Sequence, residues 1–125
     1  MQPTKRSISL IIIVIFYITA GLNHFRDPNF YLSLIPSYIP YPNFIVTFSG
    51  LLEVIFGLGL AFQITRRYAA YAVVAMLIAF IPSHIYFIEI GCCIENGLCT
   101  PIWVGWVRLL VIHPILLIWA WYHRQ

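Results

Sequence analysis

Two charged side chains stand inside apolar runs long enough to cross a bilayer: Glu53 in the second run and Arg108 in the fourth. Four such runs are legible, over residues 7–23, 44–64, 68–88 and 102–122, and they hold no other Asp, Glu, Lys or Arg. A charge at the centre of a spanning helix is disfavoured by roughly 2.5–3.5 kcal/mol on insertion scales, so each needs a partner or a task. Any function inside the membrane is therefore expected to pass through the neighbourhood of these two residues.

Composition agrees with that reading. Of 125 residues, 62% are hydrophobic and 9% charged, where soluble domains are commonly about a quarter charged. The length allows one domain over residues 1–125. The formal charge of +3, from seven Lys and Arg against four Asp and Glu, is too thinly spread for a phosphate-binding stripe, so no nucleic-acid partner is expected. Lys5 and Arg6 ahead of the apolar stretch from Ile8, with Ile18-Thr19-Ala20 loosely like a cleavage site, imitate a secretion signal. The segment is expected to be retained as a spanning helix.

At 1.5 Å per residue the four runs reach about 26–32 Å, enough for the hydrocarbon core. Short connections make successive helices antiparallel neighbours, so the expected fold is an all-α four-helix transmembrane bundle. Lys5 and Arg6, Arg66 and Arg67 in an expected tight turn between the second and third helices, and Arg124 fall on one side. The positive-inside rule makes that side cytoplasmic, with both termini inside. The opposite side carries Arg26 offset by Asp27, Glu89 and Glu95.

Both outer loops carry information. In His24–Asn43, Asp27-Pro28 reads as an N-cap followed by proline at the first helical position. Phe30 to Ile35 would then form a short interfacial helix ended by Pro36. Tyr31, Tyr38 and Tyr41 suit a membrane–water boundary, and the segment reads either as an aromatic anchor or as a lid over a bundle pocket. The second loop holds Cys92, Cys93 and Cys99. On an outer side, Cys93–Cys99 or Cys92–Cys99 would close a small disulfide loop and leave one thiol over. A redox-active or partner-linked cysteine is the second reading. A metal site ranks last, because three cysteines without a nearby histidine lack the usual tetrahedral set.

Helix rise places Glu53 about 14 Å and Arg108 about 9 Å below the outer face, a gap an arginine side chain can bridge. His84 falls at about the level of Arg108, His113 at about that of Glu53, and His24 at the outer boundary. Ser49, Glu53 and Gly57, spaced four apart with Gly50 alongside, form a small-residue stripe of the kind at which membrane helices approach closely. Tyr17, Gly21 and His24 share a face of the first helix. These spacings define a candidate polar pocket of Glu53, Arg108, His84, His24 and Tyr17. The competing reading is a purely structural Glu53–Arg108 pair that sets helix register.

Arg108 and His113, five apart, diverge by about 140° on an α-helix, so both cannot face Glu53 equally. His113 precedes Pro114, which frees the Leu110 carbonyl, and a local bond from imidazole to backbone is favoured over a ligand role. His84, after Pro82-Ser83, is expected to compensate a kink in the same way, and His123 to be solvated. No two histidines share a depth and face, so haem is not expected. No phosphate loop, nucleophile elbow, HExxH or carboxylate pair is present.

Together these residues resemble the DoxX/MauE superfamily of small four-helix membrane proteins. The likeness rests on Gly21-Leu22-Asn23-His24-Phe25 followed by Pro28, Phe30-Tyr31 and Ile35-Pro36, and on Ser49-Gly50 with Glu53. It continues through Thr65-Arg66-Arg67-Tyr68-Ala69-Ala70, Pro82 to Tyr86, Val107-Arg108-Leu109-Leu110 and Trp119-Ala120-Trp121-Tyr122. Departures are His84, where an asparagine-like residue is expected, and the longer, cysteine-rich loop from Glu89 to Thr100. The resemblance implies a redox-associated protein of the bacterial inner membrane. Members are linked to quinone-coupled oxidoreductases, such as the small subunit of thiosulfate:quinone oxidoreductase, or to maturation of disulfide-containing periplasmic proteins. On that footing the expected cofactor class is a quinone, with no metal, and the expected partners are the bilayer and other membrane or periplasmic subunits. A non-catalytic accessory subunit of a larger membrane complex is the alternative. A transporter or small-lipid binder ranks below both, since no inverted repeat or pair of broken helices is visible.

Overall fold

Thr4 starts the first helix, its Oγ1 accepting from the Ser7 N–H at 3.1 Å, and so satisfies one of the donors that a helix start leaves unpaired. The computed structural model describes residues 4–94 and 99–124; Glu95, assigned above to the outer loop, lies outside them. The elements are α1 (Lys5–Arg26), α2 (Pro28–Leu32), α3 (Pro42–Ala61), α4 (Gln63–Ala79), α5 (Ile81–Glu89), α6 (Ile102–Val107), a π-helical turn (Arg108–Ile112) and α7 (His113–Tyr122). There is no strand among the described residues; Cys93 and Cys99 form an isolated antiparallel bridge. Four stretches are long and apolar enough to cross a membrane: Lys5–Arg26, Pro42–Ala61, Gln63–Glu89 and Ile102–Tyr122.

Burial is inverted relative to a water-soluble domain. Ile11, Ile12, Ile15, Leu110 and Ile118 are exposed, while His24, Glu53, His113 and His123 are buried. Water would penalise that outer surface and lipid would not, whereas lipid would penalise the four polar groups that the bundle encloses.

The tightest seam runs between α1 and α3. Ile13, Tyr17, Gly21 and His24 line the buried face of α1, and Val46, Gly50, Glu53, Gly57 and Leu60 that of α3. The glycines set the separation. A Cβ on Gly21 would lie 2.6 Å from the Gly50 carbonyl oxygen, and one on Gly57 would lie 3.0 Å from Ile18 Cγ1. Backbones this close gain dispersion contacts that larger side chains would prevent, the main attraction available where lipid removes the hydrophobic drive.

The α3–α4 junction differs from expectation. The chain reverses at Phe62 alone, and Arg66 and Arg67 fall in the first turns of α4, not in a turn before it. Their position has a physical reason: the end of α3 leaves carbonyls unpaired. Thr65 Oγ1 donates to Gly59 O at 2.7 Å, Arg66 Nε to Leu60 O at 2.8 Å and Arg66 Nη2 to Ala61 O at 3.2 Å. A cation there also complements the negative end of the helix dipole. Proline accounts for the remaining breaks. Pro42 begins α3, and Pro82 ends α4 at Phe80 so that α5 starts anew. Pro114 follows a π-turn in which the His113 N–H reaches back five residues to Arg108 O.

His123 is another correction: it is buried, not solvated. Its Nε2 lies 3.0 Å from Ser9 Oγ, which accepts from Trp119 Nε1 at 2.8 Å. This contact clamps the end of α7 onto the start of α1. Burial, reinforced by Arg6 and Arg66, lowers the His123 pKa below the ordinary histidine range.

Two predictions follow from the seam and the clamp. Gly50→Ala forces a methyl group onto His24 and should cost about 1–3 kcal/mol in a denaturant titration in detergent; unchanged stability would mean the seam opens freely. His123 binds a proton less readily when folded than when unfolded, so its contribution to stability is present above about pH 6.5 and fades as pH falls. The melting temperature should drop on acidification from pH 8 to pH 5.5, and drop less in His123→Gln.

Candidate functional site

Between α1, α3, the α4–α5 break and the π-turn lies a cavity of about 680 Å³. That volume is in the range that holds a small ligand. Most of the lining is Leu, Ile, Val, Ala, Met and Phe, but Tyr17, His24, Glu53, His84 and Arg108 all reach it. The five polar residues singled out from spacing thus share one enclosure.

They do not pair as depth alone implied. Glu53 Oε2 meets His24 Nε2 at 2.9 Å, and both side chains are buried. Arg108 makes no carboxylate contact among the described residues; its guanidinium carbon lies 4.8 Å from the centre of the Phe87 ring. The reason is the α1–α3 seam. Glycine at positions 21 and 50 lets α1 approach until His24 occupies the side of Glu53, whereas Arg108 stays on the opposite wall.

The bonds of His24 fix which ring nitrogen carries hydrogen. Nδ1 lies 3.1 Å from Val46 O, an acceptor, so Nδ1 carries the hydrogen. Ser49 Oγ, which donates to Val46 O at 3.1 Å, lies 3.4 Å from the same nitrogen. The Nε2–Oε2 approach is a close contact and not an aligned hydrogen bond, for no well-directed donor reaches Glu53 Oε2 among the described residues. Tyr17 Oη is likewise buried without a hydrogen-bond partner among them. Buried polar atoms are nearly always satisfied; Glu53 Oε2 has at least the His24 contact, whereas Tyr17 Oη faces the cavity with neither hydrogen bond nor ion contact among the described residues.

The opposite wall is shaped by proline. The i→i+5 bond of the π-turn sets Arg108 and His113 nearly one above the other, so both line the cavity despite the divergence an α-helix would impose. His113 Nε2 donates to Leu77 O at 2.6 Å, on α4, and not locally to Leu110. Its ring meets that of His84 edge to face at 4.7 Å, so two histidines do share a depth. His113 Nε2 is already engaged by backbone. Among the described residues no group of three or more His, Cys, Asp or Glu gathers at metal-binding spacing.

The first outer loop covers one end of the cavity. Tyr31 of α2 stacks on the His24 ring at 3.8 Å and accepts from Asn23 Nδ2 at 2.7 Å. Burial, ahead of the nearby Glu53 and Asp27 charges, raises its phenol above the ordinary range. Leu34, Ile35 and Ile39 also face inward, whereas Tyr38 and Tyr41 are exposed. The segment therefore divides, with Tyr31 a cover and the two later tyrosines outward-facing. Asp27 makes no side-chain cap; its backbone N–H bonds Asn23 O instead. Phe30 and Leu34 pack on Phe87, Cys92 and Ile94, which ties this cover to the cysteine loop. There Cys93 is bonded to Cys99, and Cys92 is a buried free thiol. Asn23 and Phe87 were not singled out from the sequence. Asn23 adjoins His24, but only the fold sets Phe87 beneath Arg108.

The family model described as a domain of unknown function (DUF8561) matches residues 13–124, a span that includes every residue lining the cavity. No curated protein and no solved structure matches the chain.

The His113–Leu77 bond joins the two halves of the π-turn wall to α4. His113→Phe preserves ring volume and removes the donor, and should lower stability by roughly 1 kcal/mol. A denaturation midpoint equal to that of the parent protein would show that the contact contributes nothing.

Proposed function

The chain belongs to the DUF8561 family, and from its cavity we propose a redox-associated membrane protein that holds a quinone headgroup. It would act as a small subunit of, or accessory to, a quinone-linked oxidoreductase or a periplasmic thiol-redox system. The observation that carries this reading is that Tyr17 Oη, buried without a hydrogen-bond partner among the described residues, and the Arg108 guanidinium line one largely apolar cavity. The resemblance to the DoxX/MauE superfamily supports the same class. In this reading the basic residues at the chain ends and in α4 face the cytoplasm of a bacterial inner membrane. The Cys93–Cys99 loop then lies in the periplasm, where a disulfide persists.

The residues fit such a group. A quinone takes up two electrons and two protons when it is reduced, and it presents two acceptor carbonyls on a flat ring. The Tyr17 hydroxyl and the Arg108 guanidinium are donors on different walls. On the Tyr17 side, the His24–Glu53 contact would relay protons, each one passed on being replaced by uptake of another so that no net charge is left in an apolar site. Tyr31 of α2 stacks on the His24 ring beside this contact.

A second reading, a non-catalytic assembly subunit, is favoured by one fact. The His24–Glu53 contact lies in the α1–α3 seam, so the same pair also holds the bundle together.

Native mass spectrometry of protein extracted gently from its own membranes separates the two. A retained quinone, lost in a folded Glu53→Gln variant, is the expected result. Stable partner subunits without any quinone, and a variant that is merely less stable, would establish the assembly role instead.

A further inference from the structure

Arg108 carries a charge that the fold leaves unanswered. It stands in the π-turn within the fourth apolar stretch, far from the basic residues at the chain ends. Phe87 covers one face of its guanidinium. No ion pair or hydrogen bond among the described residues occupies its in-plane N–H donors. Among the described residues Glu53 is the one carboxylate lining the cavity, and it is already engaged by His24. His84 and His113 add no negative charge, so Arg108 has no carboxylate partner in the cavity.

An uncompensated cation in an apolar bundle is costly, and the cost is relieved by an anion. The flat fork of a guanidinium matches a carboxylate bidentately. Around it the lining is aliphatic and aromatic, on the scale of one drug-sized molecule and not of a two-chain phospholipid. We infer that the Arg108 wall is a subsite for the carboxylate of a single-chain amphiphile, a long-chain fatty acid, whose chain lies along the apolar remainder of the cavity. This goes beyond the quinone reading, with which it shares Arg108 and the cavity but not the Tyr17 hydroxyl or the His24–Glu53 contact. The π-turn is what makes the subsite: it brings Arg108 over the cavity with His113, leaving the guanidinium plane to a ligand.

The test is equilibrium binding of radiolabelled oleate to the purified protein in neutral maltoside micelles, beside oleyl alcohol and methyl oleate. Oleate should bind saturably and at least tenfold more tightly than either uncharged analogue. Arg108→Gln should erase that preference, and Arg108→Lys should keep part of it. Equal affinity for acid and alcohol in the unaltered protein overturns the proposal even if the Gln variant does not fold. A preference for acid that survives in a folded Gln variant overturns it as well. A quinone retained by the protein with no preference for oleate would leave the proposed function standing and remove this subsite. Preference for oleate with no retained quinone would do the reverse.

Discussion

The structure depends on how closely α1 can approach α3. In lipid, helices gain nothing by hiding apolar surface from one another, so association rests on contact and on the few polar groups that need a partner. Gly21, Gly50 and Gly57 supply the contact by removing the side chains that would hold the backbones apart. The approach brings His24 within 2.9 Å of Glu53. That pair would be expensive if either member were alone, and it is reached only because the glycines are in register. Packing and charge compensation are one device here.

Proline organises the other half of the molecule. Pro82 separates α4 from α5, and Pro114 follows the π-turn, so the third and fourth candidate spans are both interrupted beside the cavity. Interruptions free backbone carbonyls, and the side chains respond: His113 bonds Leu77 O across the gap. The result is an asymmetric enclosure. One wall carries the His24–Glu53 pair and the other a guanidinium without a carboxylate partner among the described residues, with aliphatic surface between them and Tyr31 over one end. An amphiphile with a polar head is the class of ligand proposed for such a space.

How far the site could be read from residues alone varied by position. The small-residue stripe around Glu53 was legible because glycine spacing on a helix maps directly onto a face. Glu53 and Arg108 were legible because charge is rare in apolar runs. Their pairing was not, for depth along a helix says nothing about which neighbour stands beside which face. The divergence expected between Arg108 and His113 assumed an α-helix, and the i→i+5 turn removed it. His123 looked solvated at a chain end, yet it is buried and meets Ser9, more than a hundred positions away in sequence, which Trp119 also bonds. Of two possible disulfides, the fold chose Cys93–Cys99, because Cys92 turns inward at a φ of 59°, left-handed after Gly91, and packs with Phe87.

The amino-acid sequence by itself determined four helices long enough to span a bilayer, the face of α3 that meets a neighbour, and the short list of polar residues that matter. These follow from local rules: hydropathy over a window, periodicity, and the penalty on buried charge. Only the tertiary structure decided that His24 rather than Arg108 answers Glu53, that Tyr31 folds over the pair while Tyr38 and Tyr41 face outward, and that Arg108 is left facing a cavity. Those outcomes turn on which helix can come closest to which, and that distance is set jointly by side chains far apart in the chain.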